Sequence, residues 1–277
     1  MHINKLLENI NSLKNVTNVG ITTLGTPIPM VSLGKKRDGG VLIVGAVHAR
    51  EYITAYLLYE LIKEYDGDYP VDVIPILNID GVTLCKEGLN ELPLKLKERT
   101  TLLRLNDGST DFSKWKANVR GVDINVNFPA DWGKGKSNVT RPSPENYIGP
   151  CPFSERETVC IMDVINNNDY ALVVAYHSKG EEVYYGFGDN RLYKSEAQMF
   201  ANYLDYKLKR TPDSAGGIKD YFTLTTGRLG LTVEVGKDTL PHPYPLTELP
   251  NLIKQHSGVI PLTTEIANKL WTQKYVL

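Results

Sequence analysis

The stretch Val-Leu-Ile-Val-Gly-Ala-Val-His-Ala-Arg-Glu, residues 41–51, joins a short apolar run to a glycine and two polar side chains. The run 41–44 is typical of a buried strand, and an amphipathic helical pattern begins near Ile53. We therefore predict a strand, a tight turn and a helix, with His48 and Glu51 on the turn. Both side chains are good zinc ligands, but a surface histidine and a helix-starting glutamate have the same spacing.

The composition is that of an ordinary globular protein of 277 residues, with a net charge of -1. This charge gives no electrostatic attraction to nucleic acid or to an anionic membrane, and no apolar segment has the length to span a bilayer. Glu8 interrupts what would be the apolar region of a signal peptide, which predicts a cytoplasmic location. Cys151 and Cys160 could pair, although an odd, small number of cysteines favours reduced thiols.

Apolar runs separated by helical patterns predict an α/β sheet that is covered by helices on both faces. Residues 84–118 are polar and are predicted to be irregular. Further strands are predicted at 71–77, 170–176, 183–187 and 229–235, and helices at 3–13, 53–65, 152–166 (with Ser154 as a capping residue), 193–209 and 246–273. In such sheets, functional side chains collect at the carboxyl ends of the strands. This is where the runs place His48, Asn78, His177 and Glu234.

His177 directly follows the apolar run Ala-Leu-Val-Val-Ala-Tyr and is the natural third metal ligand. The alternative is a core histidine that bonds to the backbone. The remaining histidines, His2, His242 and His256, have no comparable context and are predicted to lie on the surface.

Glu234 is a lone carboxylate in the apolar run Leu-Thr-Val-Glu-Val. A buried, unpaired carboxylate costs several kcal/mol, so it must lie near a cation, be protonated, or serve a function. A general base beside an activated water is one such function, and a strand-end glutamate that faces solvent is the alternative.

These residues, together with Arg120-Gly-Val-Asp-x-Asn-x-Asn-Phe, resemble the motifs of the zinc metallocarboxypeptidase family. The resemblance extends from about residue 40 to 236. It implies a single catalytic domain over 1–277, an α/β/α sandwich with a mixed, eight-stranded twisted sheet, and one zinc ion per chain. It also implies the following roles: His48, Glu51 and His177 as zinc ligands, Glu234 as general base, Arg120 as oxyanion stabiliser, and Asp123 as the carboxylate that orients the first zinc histidine.

Two departures from the family pattern concern substrate binding. Val126 stands where the family has the arginine that grips a terminal carboxylate, and neighbouring Asn125 alone cannot replace a charged, bidentate grip. Pro212 stands where digestive members have a tyrosine. The family's Gly-Gly-x-x-Asp-Trp stretch matches residues 216–221, which puts Lys219 at the specificity position and Asp220 beside it.

Within the family, the chain is most similar to bacterial γ-D-glutamyl-L-diamino acid endopeptidases, as judged from His177-Ser-Lys-Gly-Glu-Glu and Thr232-Val-Glu-Val-Gly. The resemblance implies hydrolysis of the γ-D-glutamyl–meso-diaminopimelate bond in a peptidoglycan stem peptide or soluble muropeptide. Lys219 could then meet the distal carboxylate of diaminopimelate, or it could be a solvated loop lysine. Other possible functions are an ordinary carboxypeptidase, a catalytically silent zinc protein that binds muropeptides, and an unrelated zinc amidase.

Overall fold

A computed structural model of the protein describes residues 1–188, 192–210 and 215–273. Within these ranges the chain forms one mixed, eight-stranded sheet with the spatial order β1-β2-β4-β3-β5-β8-β6-β7. The strands are β1 (Val16–Ile21), β2 (Pro27–Leu33), β3 (Val41–Val44), β4 (Val71–Ile74), β5 (Leu172–Ser178), β6 (Glu182–Tyr185), β7 (Lys207–Lys209) and β8 (Leu229–Val235). The predicted mixed, eight-stranded sheet is confirmed.

The centre of the sheet is parallel, since β4, β3, β5 and β8 pair in the same direction. Their carboxyl ends therefore meet at one edge of the sheet, while β6 runs antiparallel to β8 and β2 antiparallel to β4. Every residue of β3 and β5 is buried. Their β-branched and aliphatic side chains thus pack on both faces, as expected for parallel strands between helical layers.

Helices cover the sheet. They are α1 (Ile3–Asn11), α2 (Ile53–Glu64), α3 (Ile79–Glu87), α4 (Leu96–Leu105), α5 (Arg156–Asn166), α6 (Lys194–Leu204), α7 (Ile218–Thr226), α8 (Leu249–His256) and α9 (Val259–Gln273). Among them, α2, α7 and α9 each contact β5 and share the main core with the sheet. None of the helices in the described ranges is long and apolar enough to cross a membrane.

The prediction that 84–118 is irregular is wrong in part, because this stretch contains the end of α3 and all of α4. Asn78, which was predicted to lie at the carboxyl end of a strand among the candidate functional side chains, caps α3 by accepting a hydrogen bond from the amide of Gly81 at 3.1 Å. A second small core forms here around Trp115, whose ring is fully buried. The pattern of α4 gave little signal because Leu102 is its one buried residue, and the buried face of α3 is divided between the main core and the smaller one.

Three further predictions need correction. The segment 193–209 is a helix that ends at Leu204, after which the chain turns into β7. Glu155, not Ser154, stands at the amino end of α5. His256 is fully buried, because it lies on the same face of α8 as Leu252. The cysteines Cys85, Cys151 and Cys160 are unpaired.

Candidate active site

His48 and Glu51 lie on the turn that joins β3 to α2, at the carboxyl edge of the sheet. The turn is tight, since Ala46 has a φ of 44°, and a short 3₁₀ helix over Ala49–Glu51 follows it. The hydroxyl of Thr54 fixes its shape by accepting a bond from the amide of Ala46 and donating one to the carbonyl of Glu51, both at 2.8 Å. The side chains of His48 and Glu51 therefore extend from a turn whose shape is fixed by hydrogen bonds, and both are buried.

His177 reaches the same point from β5, which is the neighbour of β3 in the sheet. Its Nδ1 atom lies 3.0 Å from Oε2 of Glu51 and 3.1 Å from Nδ1 of His48. Nδ1 of His48 lies 2.9 Å from Oε1 of Glu51. The amide of Ser178 also donates to Oε2 of Glu51 at 3.2 Å, which holds the carboxylate in place.

The donor set of these three residues fits a zinc ion. Zinc bonds of about 2.0–2.1 Å place tetrahedral ligand atoms roughly 3.3 Å apart, and the three measured separations are close to that value. Among the described residues, His48, Glu51 and His177 are the one group of three or more whose ligand atoms converge for a metal. Three protein ligands are typical of a catalytic zinc site, whereas structural sites usually have four.

The electrostatics of the group also favour a bound cation. Burial lowers the pKa of His48, but the carboxylates of Glu51 and Asp123 outweigh it, so the pKa is raised. Burial acts in the opposite sense on Glu51, where the two imidazoles hold the pKa well below its usual range. The carboxylates thus favour positive charge at His48, and nearby positive charge favours the ionised form of Glu51; a metal ion bound among the three side chains would supply that positive charge.

The carboxylate of Asp123, to which the family resemblance assigns the role of orienting His48, contacts the His48 ring at Nε2, the nitrogen that does not face Glu51. Its Oδ1 lies 3.2 Å from Nε2 of His48 and accepts a bond from the amide of Asn125, and its Oδ2 lies 2.6 Å from Nζ of Lys116. Burial raises the pKa of Asp123, but Lys116 and His48 outweigh it and hold the pKa far below its usual range. Asp123 is therefore charged and can orient the His48 ring.

Lys116 was not identified from the sequence as a site residue. The carbonyl of Lys116 accepts a hydrogen bond from the amide of Ala49 at 2.9 Å, which fastens its loop to the ligand turn. Its ammonium lowers the pKa of both His48 and Glu234. In the sequence, its one distinguishing feature is that it directly follows Trp115, which the structure shows to be buried.

Glu234 lies on β8, directly opposite His177 of β5. The residue is partly buried, and its Oε2 atom is buried without a hydrogen-bond partner among the described residues. Burial and the negative charge of Glu51 raise its pKa to about 8. This answers the question left open by the sequence: Glu234 does not face bulk solvent, and one of its oxygens is available for proton transfer.

Arg120 lies elsewhere than the predicted oxyanion site requires. Its Nη1 is 3.5 Å from Oε1 of Glu155 and 3.4 Å from the carbonyl of Ser154, and half of the side chain is exposed. No hydrogen bond or ion pair connects it to the ligand group in the part of the chain that the structure describes. The structure thus does not bring Arg120 to the ligand group, and its oxyanion role stays a prediction; a cation whose charge does act on the pKa of His48 and of Glu234 is Lys116.

The predicted substrate-binding residues have structural partners. Lys219 and Asp220 are buried and form an ion pair, and Nζ of Lys219 also donates to the carbonyl of Gly186 at 2.6 Å. Asp220 additionally caps α7 through the amide of Gly217. Oδ1 of Asn125 accepts a bond from the amide of Ile218 at 3.1 Å. These contacts position α7 and show that Lys219 is not a solvated loop lysine, while the substrate-binding roles of Lys219, Asp220 and Asn125 stay predictions.

Pro212, where the family resemblance placed the position of a capping tyrosine, lies outside the described residues. His242 was predicted to lie on the surface, but it is partly buried, and burial lowers its pKa to about 4. The charges of Glu51 and His48 contribute to that pKa, so the loop after β8 passes near the centre.

Comparison with known proteins agrees with the fold and the site. The family model described as zinc carboxypeptidase matches residues 1–255. The chain is 28% identical over 266 residues to γ-D-glutamyl-L-diamino acid endopeptidase 1 of Lysinibacillus sphaericus, covering 88% of this chain and 65% of that protein. It is 30% identical over 268 residues to the protein YqgT of Bacillus subtilis (strain 168), covering 87% of this chain and 69% of that one.

Solved structures show the same fold. Thrombin-activatable fibrinolysis inhibitor aligns with a TM-score of 0.72 at 16% identity, covering 97% of this chain and 72% of that one. Murein-tripeptide amidase MpaA from Escherichia coli O157 aligns with a TM-score of 0.56 at 20% identity, covering 87% and 92%. The family model, the fold and the convergent His48, Glu51 and His177 agree, and the chain belongs to the zinc carboxypeptidase family of metallopeptidases.

Proposed function

We propose that this protein is a zinc-dependent peptidase that hydrolyses the γ-D-glutamyl–meso-diaminopimelate amide bond of peptidoglycan stem peptides. The observation that carries the proposal is the convergence of His48, Glu51 and His177 beside the unpartnered carboxylate oxygen of Glu234. The choice of substrate is supported by the similarity to an endopeptidase of that specificity and to a murein-tripeptide amidase. We further propose one zinc ion per chain and soluble muropeptides inside the cell as substrates.

When bound, zinc lowers the pKa of a water molecule to about 7 and polarises a carbonyl group. Glu234 then acts as the general base, because Oε2 has no hydrogen-bond partner within the described ranges and a carboxylate with a pKa near neutrality both accepts and returns a proton. The pKa of about 8 applies to the protein without a metal ion. A cation among the ligands offsets the charge of Glu51 and so lowers the pKa of Glu234, which favours the ionised base.

Lys116 supplies the positive charge that the reaction needs at the developing oxyanion. Its Nζ is held by Asp123 at 2.6 Å, and its side chain is 16% exposed. A fixed cation in a water-poor cleft stabilises an oxyanion without reorganisation of solvent. We therefore assign the oxyanion role to Lys116 in place of Arg120.

The test is to incubate the zinc-loaded protein with the tripeptide L-Ala-γ-D-Glu-meso-diaminopimelate and to follow free diaminopimelate by mass spectrometry. The wild type should release it, whereas Glu234→Gln should bind zinc normally and lose about 10²–10⁴-fold in kcat. Glu265→Gln, which changes an exposed glutamate on α9, is the matched control and should resemble the wild type. The corresponding tetrapeptide, with a residue after diaminopimelate, separates endopeptidase from exopeptidase cleavage.

An ordinary carboxypeptidase is the second candidate, since the family as a whole has that description. It requires a cation for the terminal carboxylate, yet Val126 replaces the family arginine and Lys219 is paired with Asp220. If the zinc-loaded protein cuts neither muropeptide but removes C-terminal residues from a general peptide library, the carboxypeptidase function stands. If it binds muropeptides and cuts nothing, it is a silent binder.

A further inference from the structure

A row of charged residues extends from the metal group across the sheet. The register of the strands aligns His177 on β5, Glu234 on β8, Glu182 on β6 and Lys207 on β7. Directly opposite residues of neighbouring strands point to the same face, and the strands are roughly 4.8 Å apart. Glu182 therefore lies on the same face as the general base, one strand further from the metal group.

Glu182 and Glu234 are an unfavourable pair for the fold alone. Like charges directly opposite each other destabilise a sheet, and Glu182 is directly opposite Glu234. The carboxylate of Glu182 contacts the hydroxyl of Tyr184 and the ammonium of Lys209. Glu182 and Lys209 form an ion pair, but unlike the buried pair of Lys219 and Asp220 it is partly exposed, with 16% of the Glu182 side chain and 45% of the Lys209 side chain open to a ligand.

Glu182 lies beyond the general base as seen from the metal group. His177 lies on one side of Glu234 and Glu182 on the other. Glu234 must reach both the water at the metal group and the amine that it protonates. A substrate that continues from the leaving amine away from the metal group would therefore extend toward β6.

In the proposed substrate, this part is the side chain of diaminopimelate, whose distal end carries both an ammonium and a carboxylate. We propose that Glu182 and Lys209 together recognise this distal end, with Glu182 binding the ammonium and Lys209 the carboxylate. The inference rests on the proposed function and replaces the role first given to Lys219, whose ammonium is buried against Asp220. Tyr184 holds the carboxylate of Glu182 in position.

The two charges predict a specific order of substrates. A tripeptide with L-lysine in place of diaminopimelate lacks the distal carboxylate, and one with L-2-aminopimelate lacks the distal ammonium. Each should be cut less efficiently than the meso-diaminopimelate tripeptide, with kcat/KM lower by roughly 10- to 100-fold for the loss of one charge-assisted hydrogen bond.

The experiment measures kcat/KM of zinc-loaded wild type, Glu182→Gln and Lys209→Met on these three tripeptides. Lys209→Met should remove the preference for diaminopimelate over lysine, and Glu182→Gln should remove the preference for diaminopimelate over aminopimelate. Glu181→Gln is the matched control: it removes the same charge one residue earlier, and Glu181 lies just before β6, outside the row of aligned residues. Its preferences should equal those of the wild type.

Calorimetric binding of free meso-diaminopimelate gives a second readout that does not depend on turnover. Its affinity should fall in both variants, and zinc content together with circular dichroism confirms that each variant is folded. Wild-type preferences and wild-type affinity in both variants would overturn the inference while leaving the proposed function intact. A wild type that cuts none of the three tripeptides would overturn the proposed function, and the inference with it.

Discussion

Two buried histidines lie on opposite faces of β5 and differ in the residues that surround them: His177 belongs to the strand, and His256 packs against it from α8. His177 on β5 faces Glu51 and His48, and its Nε2 atom has no hydrogen-bond partner among the described residues. The preceding residue, Tyr176, points to the other face, where its hydroxyl lies 3.3 Å from Nδ1 of His256. Nε2 of His256 lies 3.1 Å from the hydroxyl of Tyr206, so neutral hydroxyls engage both of its ring nitrogens.

The contrast shows that burial does not distinguish a ligand histidine from a core histidine. The pKa of His256 is lowered to about 3 by burial alone, whereas carboxylates raise the pKa of His48, which shares the site of His177. In His256, both ring nitrogens have hydroxyl partners, so no ion is needed to satisfy them. In the site, two imidazoles and a carboxylate converge on one point, and a cation bound there would interact with all three.

Removal of the shared carboxylate should have the largest effect. Glu51→Ala deletes the group that lies within 3.0 Å of both imidazoles, so zinc affinity and tripeptide cleavage should both be lost. We expect activity to fall by more than the roughly 10²–10⁴-fold that is typical for loss of an acid–base group. Zinc content by mass spectrometry and the tripeptide assay check this. A Glu51→Ala protein with full zinc content would contradict the assignment of the ligands.

Substitution of Lys116 should have the next largest effect on activity. Lys116→Met removes the cation beside Asp123 and should lower kcat by about 10²–10³-fold, the usual cost of losing one oxyanion donor. Arg120→Met is the matched control, because this side chain pairs with Glu155, and it should change kcat by less than about 3-fold. The reverse order of effects would restore Arg120 as the oxyanion stabiliser.

Loss of the charged carboxylate of Asp123 beside His48 should have a moderate effect on zinc affinity. Asp123→Asn keeps the size of the side chain but removes the charge 3.2 Å from Nε2 of His48. Partners of this kind contribute about 10- to 100-fold to metal affinity. Competition with a zinc chelator measures the affinity, and an unchanged constant would show that the His48 ring needs no charged partner.

His256, which packs on the face of β5 opposite to His177, should affect the free energy of unfolding and its pH dependence but not the binding of zinc. The pKa is about 3 in the folded protein and 6.5 in an unfolded one, so between these values the unfolded state binds the extra proton. The free energy of unfolding therefore falls as the pH decreases from 6.5 toward 3, by about 1.4 kcal/mol per pH unit from this residue. Urea unfolding of wild type and His256→Gln between pH 7 and 4.5 should give curves of different slope. Parallel curves would contradict the buried, neutral His256.

Much of the fold and the ligand set was predictable because the relevant signals are local. The apolar runs of β3, β5 and β8 locate the parallel strands, and the polar residues at their ends identify His48, His177 and Glu234. The parallel direction of these strands then brings the three side chains to one edge.

Features that depend on contacts between distant segments were not predictable. Lys116 reaches the centre through a loop that is bonded to Ala49, and nothing near it in the sequence shows this contact. The alignment of Glu182 with Glu234 depends on the register of an antiparallel pair of strands. His256 was misjudged because a histidine on the inner face of a short helix gives no signal of its tyrosine partners.

Zinc stoichiometry of matched histidine variants tests the metal centre most directly. Wild type, His177→Ala and His256→Ala are dialysed against a limited zinc buffer, and bound zinc per chain is measured by mass spectrometry. We predict one zinc ion per chain for the wild type and for His256→Ala, and almost none for His177→Ala. Equal zinc content in His177→Ala and the wild type, or loss of zinc in a folded His256→Ala, would contradict the assignment of the metal centre.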